Sequence, residues 1–456
     1  MLASGCLSGP TPANGSDGAV NDGAVSDASV NDASVNDASV NDARILPTCD
    51  DGPVSVHQIS AGKDHTCVVL SNGLVHCWGI GGNGRLGYGH SNNVGDETGP
   101  NAGATPATEG PVDLGEECAV QVAAGTRHTC ALMSTGNVRC WGRNVSGGIG
   151  IPPPDDALSP TGDVPFTFLS GETILQVAAG GGFTCVRLDD GNVRCFGQND
   201  RGQLGHGGAI SLQNSLDTNV PIGGFATHIE AGNGHVCVRF NDGTAKCWGA
   251  GDNGKLGYNG TGDEASPSST AISIGAGASD ISAGAEHTCA VLTTTGFVRC
   301  WGLGEFGRLG NLNETTIGDN ELPSSVTALD DLGTPVSKIA AGGFHTCALI
   351  GGKVRCWGTG VSGALGYADG PDDVGDDKSN PLRGDLNTGI DPIRDVVTGG
   401  EHTCALSESG KVRCWGRFDG GRLGYGDGRA VGDNGRPITG APDVPVWCDG
   451  VGIPCS

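Results

Sequence analysis

Short apolar runs alternate with polar, glycine-bearing turns along most of this chain, and the alternation has a period. A typical unit reads Ala119-Val120-Gln121-Val122-Ala123-Ala124-Gly125, then His128-Thr129-Cys130-Ala131-Leu132, then Val138-Arg139-Cys140-Trp141-Gly142. Apolar runs of this length, bounded by Gly, Asn and Ser, predict strands, and the last two runs close around a tight turn as a β-hairpin. Recognisable copies recur seven times, their first cysteines 63, 55, 52, 52, 58 and 57 residues apart. Each copy continues into a G-x-[Leu/Ile]-G turn, at 84–87, 147–150, 202–205, 254–257, 307–310, 363–366 and 421–424. A variable loop follows, with a further short apolar segment such as Pro111-Val112-Asp113-Leu114.

Four short strands in each repeat of this period predict a β-propeller blade. The expected fold class is therefore all-β: a seven-bladed β-propeller of four-stranded antiparallel blades, spanning 44–456. Seven blades close a ring and leave no long exposed sheet edge. Closure would join the region of Val54 to that of Pro445.

Each hairpin carries one cysteine per arm: Cys67 with Cys77, Cys130 with Cys140, Cys185 with Cys195, Cys237 with Cys247, Cys289 with Cys300, Cys347 with Cys356 and Cys404 with Cys414. Five pairs are ten positions apart, one eleven and one nine, and the difference falls in the turn, at 293–296 and 350–352. The cysteines thus keep their places while the turn changes length, as expected if they face each other. Opposed residues at non-hydrogen-bonded sites lie about 4.5 Å apart, near the short end of what a disulfide spans. One cross-strand disulfide per hairpin is predicted, each adding at most about 2–3 kcal/mol because the closed loop is short. The alternative is free cysteines packed as small hydrophobes. Cys49, Cys118, Cys448 and Cys455 are left over with three connectivities open, and a seam disulfide near the chain ends is among them.

Composition narrows the function classes. A formal charge of −25 argues against nucleic acid as a partner, since phosphate binding is driven by Lys and Arg. Nineteen cysteines imply an oxidising compartment. No apolar run is long enough for a transmembrane helix. The first eight residues, with Leu2-Ala3-Ser4-Gly5-Cys6, resemble the end of a bacterial lipoprotein signal, which implies lipidation at Cys6; the basic and apolar regions that precede such a site are absent. Residues 9–43 fall into VNDAS-like pentads with Asp22, Asp27, Asp32, Asp37 and Asp42 at a five-residue interval. So polar and one-signed a stretch predicts a disordered linker.

The recurring V-x-x-V-A-A-G-x-x-H-T-C-A-L-x-x-x-G-x-V-R-C-W-G, followed by G-x-L-G, resembles the regulator of chromosome condensation repeat over about residues 45 to 447. The resemblance implies a seven-bladed propeller. It leaves function open, because that fold serves exchange factors, ubiquitin-ligase modules and secreted inhibitors alike.

Several recurring side chains invite a chemical reading. His65, His128, His235, His287, His345 and His402 share one position, with Phe183 in the third repeat. They belong to different blades, whereas zinc needs its ligands about 2.1 Å from one point, so a packing role is expected and no metal. His76, Arg139, Arg194, Lys246, Arg299, Arg355 and Arg413 precede the second cysteine and are expected to pack their stems against neighbouring segments and pair with acids. All four tyrosines, Tyr88, Tyr258, Tyr367 and Tyr425, follow the G-x-L-G turn, and an Ile/Val-Gly-Asp element recurs with Asp96, Asp319, Asp376 and Asp433. These eight residues mark candidate partner-binding loops gathered on one end of the ring. Their regularity equally fits structural turns, and the clustered acids of 372–377 are a candidate calcium site. No G-x-S-x-G, H-E-x-x-H or complete P-loop occurs.

The expected function is a non-enzymatic, extracytoplasmic protein-binding scaffold, secreted or tethered by an N-terminal lipid. It would be monomeric, without a cofactor, and would touch a membrane only through that lipid. The alternatives are an enzyme acting on a carbohydrate or peptide at the propeller mouth and a guanine-nucleotide exchange factor; no segment matches the wedge that such a factor uses.

Overall fold

A computed structural model describes residues 54–447 except 154, 169–170, 209–211, 334, 369–372, 377–381 and 434. Cys6, the 9–43 linker, Cys49, Cys448 and Cys455 lie outside the described residues. Seven three-stranded antiparallel sheets follow one another along the chain, at 56–79, 119–142, 174–197, 226–249, 278–302, 336–358 and 393–416, and are numbered here as blades 1 to 7. In blade 2 the inner strand is Ala119–Ala124, the middle strand His128–Met133 and the outer strand Val138–Gly142.

The sequence pattern explains which strand goes where. The middle strand is buried at all six positions, which is why HTCAL-type runs show no polar alternation. It lies between two strands of its own sheet and between two neighbouring blades. The inner strand is less buried at its third residue. A register shift just before that residue, between Ala119 and Gln121, recurs at the equivalent place in all seven blades. Such a bulge re-aims the side chain that follows it.

Within each hairpin the two cysteines are register partners, as Cys130 is to Cys140. All seven predicted disulfides are present, with Cα–Cα separations of 4.0–4.1 Å. Cys67 is bonded to Cys77, Cys130 to Cys140, Cys185 to Cys195 and Cys237 to Cys247. Cys404 is bonded to Cys414 in the same way. The longer turn leaves Cys289 bonded to Cys300, eleven positions apart, and the shorter one leaves Cys347 bonded to Cys356, nine apart. Cys118 is also disulfide-bonded. Seven intrachain disulfides point to an oxidising environment. Among the described residues no helix is long and apolar enough to cross a membrane.

Among the described residues the expected fourth strand is not formed. The N–H of the apolar segment after each loop bonds to the start of the outer strand, for example Val112 N–H to the Val75 carbonyl at 2.8 Å and Val444 N–H to that of Val412 at 2.8 Å, and in blade 5 the bond is also returned, Val298 N–H reaching the Leu329 carbonyl at 3.4 Å. At the far end an isolated bridge such as Gly79 with Val94 completes the contact. Between them, in blade 1, the Tyr88 hydroxyl takes the place of a strand: it accepts from Cys77 N–H and donates to the Cys77 carbonyl, both at 2.9 Å. In blades 2 and 3 the chain turns away at once, with Phe166 N–H bonded to the Val164 carbonyl and Ile222 N–H to that of Val220. These are γ-turns about Pro165 and Pro221.

The ring closes on itself through side chains. His402 Nε2 lies 2.9 Å from Thr66 Oγ1, and the Trp78 indole donates to the Arg422 carbonyl at 3.0 Å. Blade 7 is thereby joined to blade 1 by the same contacts that join other blades.

Candidate functional site

The repeated polar residues are consumed by the joints between blades. His128 Nε2 meets Thr184 Oγ1 of the next blade at 2.9 Å, and Thr184 donates onward to the Gly148 carbonyl at 2.8 Å. The same relay joins His287 to Thr346 and Thr346 to the Arg308 carbonyl. With the threonine proton given to a carbonyl, the histidine must donate from Nε2, leaving Nδ1 bare. Five of these Nδ1 atoms are indeed buried without a partner.

Burial, then nearby cations, pushes every histidine of this belt down. His128 and His345 fall to about 4, and His235 and His402 to about 3. The rings are neutral connectors, consistent with the packing role expected from their positions. Glycine is required three residues earlier by close approach: a Cβ on Gly125 would stand 2.6 Å from the Gly180 carbonyl of the next blade.

One joint departs from this chemistry. Phe183 replaces the histidine of blade 3, and its belt partner in blade 4 is Val236 where other blades have Thr. Both belong to one apolar cluster with Phe240 and Trp248. The histidine and its partner are thus replaced together, a correlation visible in the sequence once the interblade pairing is known.

The candidate loops are likewise spent on the fold, the tyrosines inside their own blades and the Gly-Asp elements at the joints. Besides Tyr88, the hydroxyls of Tyr258, Tyr367 and Tyr425 accept from Cys247, Cys356 and Cys414 N–H at 3.1, 3.4 and 3.0 Å. Burial raises all four phenols, Tyr258 and Tyr367 to about 12. The Ile/Val-Gly-Asp elements clasp the G-x-L-G turn of the preceding blade. A Cβ on Gly95, whose φ is +92°, would lie 2.5 Å from the Gly421 carbonyl, and Gly318 stands in the same relation to Gly254.

The aspartates of these elements turn inward or along their own loops. Asp96 is buried and accepts from Asn93 and Thr98, and Asp433 accepts from Gly435 and Arg436 N–H. Asp319 Oδ1 is buried, and Asp376 is half-buried. Regularity, in these loops, tracks the joint. Among the described residues no group of three His, Cys, Asp or Glu is placed to hold a metal ion.

The residues before the second cysteine tie down the outer loops. Arg194 pairs with Glu172 at 2.9 Å, Arg355 with Asp385 at 2.6 Å and Arg413 with Asp443 at 2.6 Å. Arg139 pairs with Asp163 at 2.7 Å, while His76, Lys246 and Arg299 bond to the carbonyls of Pro106, Ile222 and Pro323.

Residues that differ between blades collect in two other places. One is the central channel, a cavity of ≈ 660 Å³ lined by the inner strands. At the third position of those strands stand Gln58, Gln121, Gln176, His228, Asp280, Lys338 and Asp395. The three glutamines each grip the next blade, as Gln58 does with both the N–H and the carbonyl of Val122, at 2.9 and 3.1 Å. The other side of the channel is charged. His228 meets Glu230 at 2.9 Å, Asp280 accepts from Ile339 N–H at 2.8 Å, and Lys338 pairs with Asp395. Burial raises Asp280 despite the cations near it. Burial opposes the Lys338 ammonium, and Asp395 nonetheless holds it above its ordinary value.

The second place is the rim around one mouth of this channel, where Phe344, Glu401 and Arg417 line the opening. Exposed Phe306, Val361 and Phe418 stand in the corresponding turns of blades 5, 6 and 7. Neither the channel nor this rim was singled out from the sequence. The usable signal was in-register variation, the columns where seven otherwise similar copies disagree.

The repeat that builds these joints has counterparts in known proteins. Models of the regulator of chromosome condensation (RCC1) repeat match residues 56–85, 119–147, 174–203, 226–255, 278–308 and 393–422, and a second model matches 72–132, 242–291 and 296–349. The ultraviolet-B receptor UVR8 of Arabidopsis thaliana is 32% identical over 308 residues, covering 67% of each chain. The human E3 ubiquitin-protein ligase HERC2 is 29% identical over 68% of this chain, which spans 6% of the ligase. Among solved structures, human WBSCR16 superposes with a TM-score of 0.63 at 23% identity, covering 80% of this chain and 92% of its own. Yeast RCC1 (Prp20), solved bound to Kap60, gives 0.59 at 20% identity, covering 86% and 85%. Those two likenesses establish a shared fold. With the repeat models and the UVR8 match, they make this chain a member of the regulator of chromosome condensation (RCC1) repeat family, built as a propeller of seven blades.

Proposed function

We propose that this chain is a non-enzymatic protein-binding propeller of an oxidising, extracytoplasmic compartment, held at a bacterial envelope through a lipid on Cys6. The observation that carries the binding reading is the division between repeated and unrepeated residues. The repeated histidines, threonines and glycines are spent on joints and the tyrosines inside their own blades, whereas the unrepeated residues gather in the channel and on the rim of its mouth. A rigid, stapled ring that presents variable side chains at one end suits recognition of a partner. Yeast RCC1 bound to Kap60 supports the reading by likeness of fold. The seven disulfides support the compartment.

The oxidised full chain, used as bait against envelope and surface proteins, is expected to retain a partner that rim substitutions release. No partner, together with turnover of a substrate, would overturn the reading. The compartment is tested separately, by mass spectrometry of non-reduced peptides from native protein. Free thiols at the fourteen hairpin positions would remove it.

A second reading, an enzyme acting on a carbohydrate or peptide at the mouth, draws on the charged side of the channel. It requires turnover that is lost when Asp280 is replaced by Asn.

A further inference from the structure

At the rim of each joint, the x residue of one blade's G-x-L-G turn faces the residue that precedes the belt histidine of the next blade. The x residue is a cation in four blades: Arg85, Lys255, Arg308 and Arg422. Three of them have a carboxylate. Lys255 meets Glu286 at 2.7 Å, Arg422 meets Asp64 at 2.8 Å, and Arg85 reaches the same Asp64 at 3.7 Å.

Arg308 is the exception: Glu305 and Glu286 act on it only from beyond ion-pair distance. The residue facing it in blade 6, where blade 5 has Glu286, is Phe344. Among the described residues Arg308 forms no ion pair. It is 1% exposed, its Nε and Nη1 bond only to the carbonyls of Glu305 and Gly343, and its Nη2 is buried without a partner. Above the guanidinium stand two rings, Phe306 at 5.6 Å and Phe344 at 5.4 Å, set edge to face with centroids 6.5 Å apart.

Both rings are displayed at some cost. Phe306 is 38% and Phe344 39% exposed. Phe306 also has a φ of 61°, a left-handed conformation that the matching positions of other blades give to Asn83, Asn253, Ser362 and Gly420. Asn and Gly enter that region readily, whereas a bulky aromatic residue there is an outlier. A strained, exposed phenyl beside an unpaired buried guanidinium violates two local rules at one place. Departures of that kind cluster where a protein binds something.

We propose that the rim of the joint between blades 5 and 6 is a docking site for a protein segment presenting an Asp or Glu carboxylate beside an apolar side chain. The partner supplies in trans the acid that Phe344 has displaced. Its carboxylate accepts from Arg308 Nη2, a charge-assisted bond shielded from water. Its apolar neighbour packs on Phe306 and Phe344, whose exposed rings rotate aside on entry. Arginine flanked by aromatic rings is the composition of an interface hot spot.

This inference rests on the protein-binding reading, and its test separates the two. Random dodecapeptides displayed on phage are selected on the oxidised full chain and then challenged with the Phe344→Glu variant. That variant restores the arrangement of the Lys255–Glu286 joint and therefore keeps the fold. Selected peptides are expected to share an acid flanked by Leu, Ile, Met or Phe. They should weaken about tenfold or more, equivalent to about 1.4 kcal/mol, when the acid becomes its amide, when the bait carries Phe344→Glu, or when it carries Arg308→Gln. Peptides that need no acid, or that Phe344→Glu retains, overturn the proposal while leaving protein binding elsewhere on the rim. Absence of any peptide above a blank surface overturns it as well. A dimer in sedimentation that Phe344→Glu abolishes assigns the site to a second copy and overturns it in favour of self-association.

Discussion

Two neighbouring joints, between blades 4 and 5 and between blades 5 and 6, share their backbone and their belt and differ at the rim. In the first, His235 bonds to Thr288 and Lys255 to Glu286. In the second, His287 bonds to Thr346 but Arg308 faces Phe344. The buried layer is held constant while the rim varies. The lesson is that the belt sets the angle and closure of the ring, so it tolerates only paired replacement, as at Phe183 and Val236. The rim contributes little to closure and is free to specialise.

Breaking the belt should therefore have the largest effect, and the same effect in both joints. Replacing His235 or His287 by Ala removes a fully buried ring and its bond to Thr288 or Thr346, at a cost of about 2–4 kcal/mol in either case. Urea melting under oxidising conditions reads both. A marked difference between the two would mean that rim and belt are not independent.

Acid challenges the belt without mutation. Unfolded histidines take up a proton near pH 6.5, whereas His128 and His345 resist until about 4 and His235 and His402 until about 3. Between those limits the unfolded chain binds more protons than the folded one. The belt's contribution is thus complete above pH 6.5 and declines as the pH falls toward 4. The slope is at most about 1.4 kcal/mol per pH unit for each linked histidine. Melting temperatures measured from pH 7 to pH 4 should fall, and should fall less in a His287→Phe/Thr346→Val variant, which copies the apolar joint.

Rim changes should be smaller. Glu286→Phe imposes the fifth joint's arrangement on the fourth and leaves the buried Lys255 with only Asp252, 3.7 Å away. A loss of about 1–2 kcal/mol is expected in the same melts. Phe306→Asn supplies the residue that occupies this conformation at Asn83 and Asn253. It should gain about 1 kcal/mol by relief of backbone strain.

Much of the fold was readable in the sequence because its signals are local. The seven hairpins followed from cysteine spacing, turn residues and the apolar HTCAL runs. The staples followed from the constancy of Cys289 with Cys300, and of Cys347 with Cys356, across turns of unequal length. The fourth strand was misjudged because an apolar segment such as Pro111–Leu114 looks the same whether it forms a ladder or one bond. What decides is the Tyr88 hydroxyl from elsewhere in the blade and the turns about Pro165 and Pro221. The candidate site was harder for a related reason. Tyr88 and Asp96 stood out by repetition, and repetition reflects what the blades and their joints need to hold together. Arg308 and Phe344 are inconspicuous until the pairing between successive blades identifies Phe344 as standing in place of an acid.

The most direct test is the reciprocal exchange of the two rims, Glu286→Phe in one protein and Phe344→Glu in another, read as the shift in urea midpoint under oxidising conditions. If Arg308 lacks an acid where Lys255 has one, the first exchange lowers the midpoint, by the equivalent of about 1–2 kcal/mol, and the second raises it, by up to about 1 kcal/mol. Shifts of the same sign, or a Phe344→Glu chain less stable than its parent, would contradict the account.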